Sequence, residues 1–374
     1  MISGRGELRQ VRASPRRLGV VSGFLFKLIR ESTGLTQVQL AEQFGVDTAS
    51  VQGWESGRRP LASLRVADFV QLRAHMLRRG AHPTLLATLD DAIQADLIIA
   101  ETVQADHRTI GAVEHPLGAT VHQCRLSSLI TWPFTGIAPT LPRDLMTLRV
   151  RRGPVPDQPK LTLEDQTGFF DHLLLITDTK SHEGSALARR QAIYLLGFDT
   201  RASTVEWLRS EYVRALRGAK NIDQVPTWVV VRSSAVALAY GGDRDPLRTF
   251  LRHTVATDRL EQANLNYWAY WTGELDGVEA DDTFMSRINP QDWSGARLLG
   301  QLLELLRPGS GHAELDLHTV WTLLLAHPGL LSQHPDLGAA TARTVDHLAS
   351  DPELSVQSRR ELSDIYYAAR LAHR

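Results

Sequence analysis

An all-α fold, with a small N-terminal helical domain followed by a larger helical body, is predicted by three observations. The stretch LTQVQLAEQFGVDTASVQGWESG, Leu35 to Gly57, reads as two short helices joined by a glycine turn. From Leu86 to Val103 apolar residues recur at spacings of three and four, the period of a longer helix. Beyond Leu163 the chain breaks into apolar-periodic segments about 12 to 20 residues long, the length of ordinary globular helices.

Residues 1–20 form a basic arm. Arg5, Arg9, Arg12, Arg16 and Arg17 are opposed only by Glu7, among Gly, Ser and Pro. With so little to bury, such an arm stays unfolded when free. It suits either a plain solvated tail or a strand that follows phosphate or enters a minor groove.

Residues 21–80 form the small domain. Thr36 with Gln39 makes a capping box, after which Leu40, Ala41 and Phe44 supply one apolar face. Gly45 ends that helix by entering the left-handed region at no steric cost. Asp47 caps the next helix, which buries Val51 and Trp54 and is expected to leave Thr48, Ala49, Ser50, Gln52 and Gly53 outward. The outward set is small and uncharged, which suits close approach to base edges. Leu61, Leu64, Val66, Phe69, Val70, Leu72 and Leu77 continue the helical period to the end of the domain.

These residues resemble the XRE/Cro family of phage-repressor-like helix-turn-helix domains over roughly Val21 to Leu77. The resemblance implies a five-helix DNA-binding domain that contacts double-stranded DNA. It places Gln37 on a backbone phosphate, base reading on Thr48 and Ala49 with Gln52 one turn on, and a phosphate-gripping loop at Arg58 and Arg59. The DNA-binding set is thus Gln37, Thr48, Ala49, Ser50, Gln52, Arg58 and Arg59, with Arg30 and Glu55 as a supporting buried ion pair. Ala49 and Gly53 stand where members of the family often carry a longer donor. That shifts weight onto Thr48, Gln52 and DNA shape.

Charge follows the same division. The whole chain of 374 residues carries a net charge of −1, but residues 1–80 hold 13 basic and 6 acidic side chains and the remainder 28 and 36. Attraction to a polyanion is therefore confined to the N-terminal part. The single cysteine, Cys124, excludes an intrachain disulfide and a cysteine-based zinc site, and its apolar neighbours predict a buried thiol. No apolar run reaches membrane-span length and the N-terminus lacks an apolar signal core, so the expected setting is cytoplasmic, on the nucleoid, with no membrane partner.

Residues 81–108 form a connecting or dimerisation helix, from Pro83 to about Asp106, whose seam of Leu86, Leu89, Ile93, Leu97, Ala100 and Val103 suits a partner helix either within the chain or across a homodimer. Residues 109–162 are a proline-rich linker region containing one short helix near Leu126–Trp132, with 149–160 an exposed tether. Residues 163–374 form an all-helical sensor or oligomerisation domain. Its expected helices are 165–178, 183–196, 203–217, 226–240, 246–272, 290–306, 312–326, 337–349 and 352–372. Val229–Val231 alone would also fit a strand, but the alanine-rich continuation favours helix. Alternating helices suggest stacked TPR-like hairpins, without a clean repeat. The order of parts resembles that of bacterial regulators that sense signalling peptides.

Two clusters in the body bear on chemistry. In NLNYWAYW, Asn264, Trp268 and Trp271 share a helix face with Tyr267 beside them, a candidate site for a peptide or small-molecule effector that core packing explains equally well. In H-x-E-x-D-x-H, His312, Glu314, Asp316 and His318 would line up on a strand and hold a metal. On the expected surface helix they fall into the pairs His312/Asp316 and Glu314/His318. No phosphate loop, nucleophile elbow or zinc-protease motif is present, so neither catalytic residues nor a cofactor or metal is expected. The reading is a homodimeric, effector-sensing transcription regulator. Its alternatives are an interaction scaffold with a DNA-binding head and a metal-dependent enzyme fused to such a head.

Overall fold

The computed structural model describes residues 19–104, 115–121, 123–139, 158–178, 186–218, 225–254, 258–275 and 282–372. The arginines of the N-terminal arm and most of the 149–160 tether lie outside them. Among the described residues the chain is built of α-helices and short 310 turns, with no strand. In order these are α1 (Val20–Ser32), α2 (Gln37–Phe44), α3 (Thr48–Glu55), α4 (Val66–Arg78), α5 (Pro83–Gln104), α6 (Cys124–Thr135), α7 (Leu163–Asp178), α8 (Ala186–Leu196) and α9 (Ala202–Gly218). They continue as α10 (Val225–Tyr240), α11 (Asp245–Thr254), α12 (Asp258–Thr272), α13 (Phe284–Arg287), α14 (Ala296–Leu305), α15 (Ala313–Ala326), α16 (Leu330–Gln333), α17 (Pro335–Leu348) and α18 (Val356–Ala372). No described helix is long and apolar enough to cross a membrane.

The described residues divide into two compact units, one holding those up to Gln104 and from Arg125 to Gly168, the other holding the rest. In the first, the span 21–80 forms α1 to α4 with a 310 turn at Leu61–Ser63 between α3 and α4. Helix α1 buries Val21, Phe24, Leu25, Phe26 and Ile29. It has no side-chain cap of its own, since Gly19 stands at the N-cap. The cap comes instead from α5, whose Asp96 accepts hydrogen bonds from the Val21 and Ser22 amides at 2.9 and 2.8 Å. Two of the donors left open by the first helical turn are thereby satisfied.

This long-range cap also fixes which face of α5 turns inward. Leu85, Leu89, Ala92, Asp96 and Ile99 are buried, whereas in the expected seam Ile93, Ala100 and Val103 are only half-buried and Leu97 is exposed. Helix α6, within the proline-rich stretch, belongs to this unit through Leu126, Leu129 and Ile130, and through Trp132, edge-on to Phe24 at 5.3 Å. Cys124 is half-buried rather than buried. On α4, Leu72 and Met76 are covered, while Val66, Val70 and Leu77 are exposed.

In the second unit helices next to one another in sequence pack together, as α9 with α10, α10 with α11 and α17 with α18. The Val229–Val231 run lies within α10, as helix. The segment 246–272 is two helices, α11 and α12, and the short α13 and α16 were not anticipated. The chief correction concerns α15. Expected at the surface, it is enclosed on nearly every side, with Leu315, Leu317, Val320 and Leu323 in the core and Glu314, Asp316 and His318 buried too. Its polar residues find partners on neighbouring helices, which the local pattern does not reveal.

Candidate nucleic-acid interface

The capping box forms as its spacing requires. Thr36 Oγ1 accepts the Gln39 amide at 3.2 Å and Gln39 Oε1 accepts the Thr36 amide at 2.9 Å. Gly45 then takes φ 63°, and Asp47 Oδ1 caps α3 by accepting the Ser50 amide at 2.6 Å. Bonds from Ser50 hold the Asp47 carboxyl below its ordinary value. The two helices around Gly45 are therefore set by local chemistry.

The orientation of α3 is set from behind by one carboxylate. Glu55, 2% exposed, accepts from Arg30 Nε, from Arg30 Nη2 at 3.2 Å and from Gln37 Nε2 at 2.6 Å. It thus joins the ends of α1, α2 and α3, while Arg30 Nη1 donates to the Leu35 carbonyl at 2.6 Å. Close approach of α1 to α3 needs Gly23, where a Cβ would strike the Trp54 and Glu55 carbonyls. Ala41 and Leu40 are buried, and Val51 and Trp54 close the same core.

On the outer side Ala49 and Gln52 are exposed and Thr48 is half-buried. Gln52 Nε2 donates to Gln37 Oε1 at 3.4 Å, so Gln37 lies between Glu55 and the reading face. Ser50 and Gly53, expected outward, are buried instead. Arg59 is the reason: its stem lies across Gly53, a Cβ there meeting Arg59 Cγ and Cδ at 3.1 Å, and its Nη1 donates to Ser50 Oγ at 2.6 Å. Ser50 is thereby an anchor for Arg59. Arg58 remains exposed, steadied by Nε donating to Ser56 Oγ at 3.1 Å.

In the body, Asn264 is fully buried with Nδ2 donating to Thr319 Oγ1 at 3.1 Å, and Trp268 lies in the hydrophobic core. Tyr267 and Trp271 are half-buried and stack, their planes 20° apart at 6.2 Å. The composition of the cluster hid two cations, for Arg190 and Arg232 both face the Tyr267 ring. The only hint was a lone arginine after the apolar run VPTWVVV. The four H-x-E-x-D-x-H side chains diverge. His312 Nε2 is 3.5 Å from Asp316, but Glu314 accepts from Arg248 Nε at 3.0 Å and His318 Nδ1 lies 2.8 Å from Glu361. Glu314 and His318 therefore do not pair with each other.

No curated protein and no solved structure matches the chain. Residues 26–67 match the family described as Helix-turn-helix, over the span where Glu55, Arg30 and Gln37 lock the two helices around Gly45. The N-terminal domain of this chain is accordingly a helix-turn-helix domain of the XRE type, and the chain that carries it is a DNA-binding transcription regulator.

Proposed function

We propose that the chain acts as a homodimer that reads a two-fold operator and that its helical body senses an effector, with TPR-like stacking of helices as the sensor architecture. The carrying observation is the Glu55 clamp, which holds α3 so that Thr48, Ala49 and Gln52 face outward together. In this reading Gln37 and the open amides at the start of α2 meet one phosphate, and Arg58 and Arg59 meet another. Gln52 supplies the donor and acceptor pair that a major-groove adenine edge requires, and Ala49 gives apolar contact to a thymine methyl. Ser50 acts through Arg59. The basic excess over residues 1–80 supports a large phosphate share of the affinity.

A dimer places two copies of α3 in successive major grooves about 34 Å apart. An effector acts by favouring one spacing of the heads, which requires different affinity for two arrangements. The test is a mobility-shift and footprinting series on DNA upstream of the chain's own gene, with light scattering to read the oligomer. Wild type should protect two half-sites, and Gln37→Ala, Gln52→Ala and Arg58→Ala should each weaken protection. Equal binding by all four proteins, or none by any, overturns the reading.

A further inference from the structure

Within the second unit, helices α8, α10, α12 and α15 bring Arg190, Arg232, Tyr267, Trp271 and Asp316 together. The Arg232 guanidinium stands 4.5 Å from the Tyr267 ring centre and 5.5 Å from that of Trp268, and the Arg190 guanidinium 5.6 Å from Tyr267. Arg190, Arg232 and Asp316 are 4%, 7% and 0% exposed, so all three charges are withdrawn from water. Yet their hydrogen-bonding capacity is largely unspent. Arg232 Nε has no acceptor, Arg190 uses Nη1 on Asp282 at 2.6 Å but has none for Nη2, and neither Asp316 oxygen accepts a hydrogen bond. The indole N–H of Trp271 and the Asn264 Oδ1 are likewise unmatched within the protein.

Buried charges left in this state cost several kcal/mol each unless something completes them. Arg232 and Asp316 do not complete each other: they feel one another's charge but make no ion pair. The aromatic residues around them show that the space between is a recess and not solid core. Tyr194, Tyr240, Tyr267 and Trp271 all keep accessible surface, while burial pushes the Tyr240 phenol up to about 12 and that of Tyr194 well above its ordinary value.

We infer that this recess binds a small zwitterion of the α-amino-acid type, its carboxylate held by Arg232 and Arg190, its ammonium by Asp316, and its side chain against Tyr267 and Trp271. The chemistry excludes the nearest rivals. A phosphate ester would bring two negative charges to a site where Asp282 already occupies part of Arg190 and Asp316 adds a further carboxylate. A bare cation would meet two guanidinium groups. A free amino acid offers one group of each sign at the separation of two bonds, and a planar side chain stacks where the rings are open.

The inference deepens the effector half of the proposed function, and rests on it only for the consequence at DNA. It is tested on the full chain by thermal shift and tryptophan fluorescence, with the common free L-amino acids as probes beside their N-acetyl and carboxamide forms. At least one free amino acid should raise Tm and change the fluorescence, and blocking either end should weaken binding at least about tenfold, as losing one partner of a buried charge does. Arg232→Met and Asp316→Asn should each abolish the response while leaving the Tm of the unliganded protein unchanged or higher, because each removes an unmatched buried charge. A purely structural role predicts a lower Tm for both. No response to any free amino acid, or an equal response to the blocked forms, overturns the inference, and this comparison on wild type decides even if a variant misfolds. Because DNA binding is read separately by mobility shift, intact DNA binding with no ligand response sinks only this site. The converse sinks only the DNA reading.

Discussion

Glu55 shows how much one side chain can carry. Its carboxylate has no exposed face and three donors from two other helices, so truncation would leave Arg30 buried without its counter-charge. Glu55→Ala is expected to lower unfolding free energy by about 3–5 kcal/mol, measured by urea denaturation followed by circular dichroism. Arg59 acts at the same scale with another readout. Arg59→Ala uncovers Gly53 and removes a phosphate contact, and should reduce the slope of log K against log salt by about 1 in anisotropy titrations with a labelled operator. An unchanged slope would remove Arg59 from the phosphate set. At this scale the capping box, the Gly45 turn and the Asp47 cap were legible because each is satisfied within four residues. Ser50 and Gly53 were misjudged because the side chain that covers them belongs to the loop beyond the helix, where periodicity gives no information.

Helices depend on close approach and on caps supplied from afar. Gly23→Ala would drive a methyl into the carbonyls at the end of α3, and overpacking of this kind costs about 1–3 kcal/mol. The expected result is a lower Tm together with weaker operator binding, whereas Gly34→Ala, at a left-handed turn with open space around it, should cost stability with less effect on DNA affinity. The reach of Asp96 into the start of α1 has a pH signature. Burial, partly offset by the Ser22 and Val21 bonds, pushes its carboxyl up to about 7. The native state therefore holds this proton more tightly than the unfolded chain does, and the associated stability is complete below about pH 4 and lost as pH rises through 7. About 1.4 kcal/mol per pH unit is its ceiling. Titrating Tm against pH should show that slope in wild type and not in Asp96→Asn. Helix positions were largely readable from periodicity, apart from the break between α11 and α12 and the short α13 and α16. The inward face of α5 was not, because it is chosen by a cap 74 residues away in sequence.

At the scale of the molecule the two units should answer acid in opposite ways. In the second, burial and the nearby His172 push His115 down to about 4, with its Nδ1 accepting the Leu117 amide in the neutral form. A histidine held neutral stabilises above its unfolded value near 6.5, and that stability is lost as pH falls towards 4. On going from pH 7 to pH 5, calorimetry should show the transition of the first unit moving up and that of the second moving down, with His115→Asn blunting the second shift. Parallel movement of both would refute the assignment of these groups. The all-helical class and the charge division between head and body were legible because both are sums over many residues. The burial of α15 and the convergence of Arg190, Arg232 and Asp316 were not, since they arise from contacts among helices far apart in the chain.

Because Glu55 aligns α3 from its protected side, the outward positions bear almost none of the task of holding it there. Recognition and foldedness are thus separable inheritances in this domain. Ala49 and Gln52 are free to change partners among the bases one substitution at a time, each intermediate still folded and still able to occupy DNA. Such a head is easily retargeted, and a family of regulators with diverging operators is what this arrangement permits.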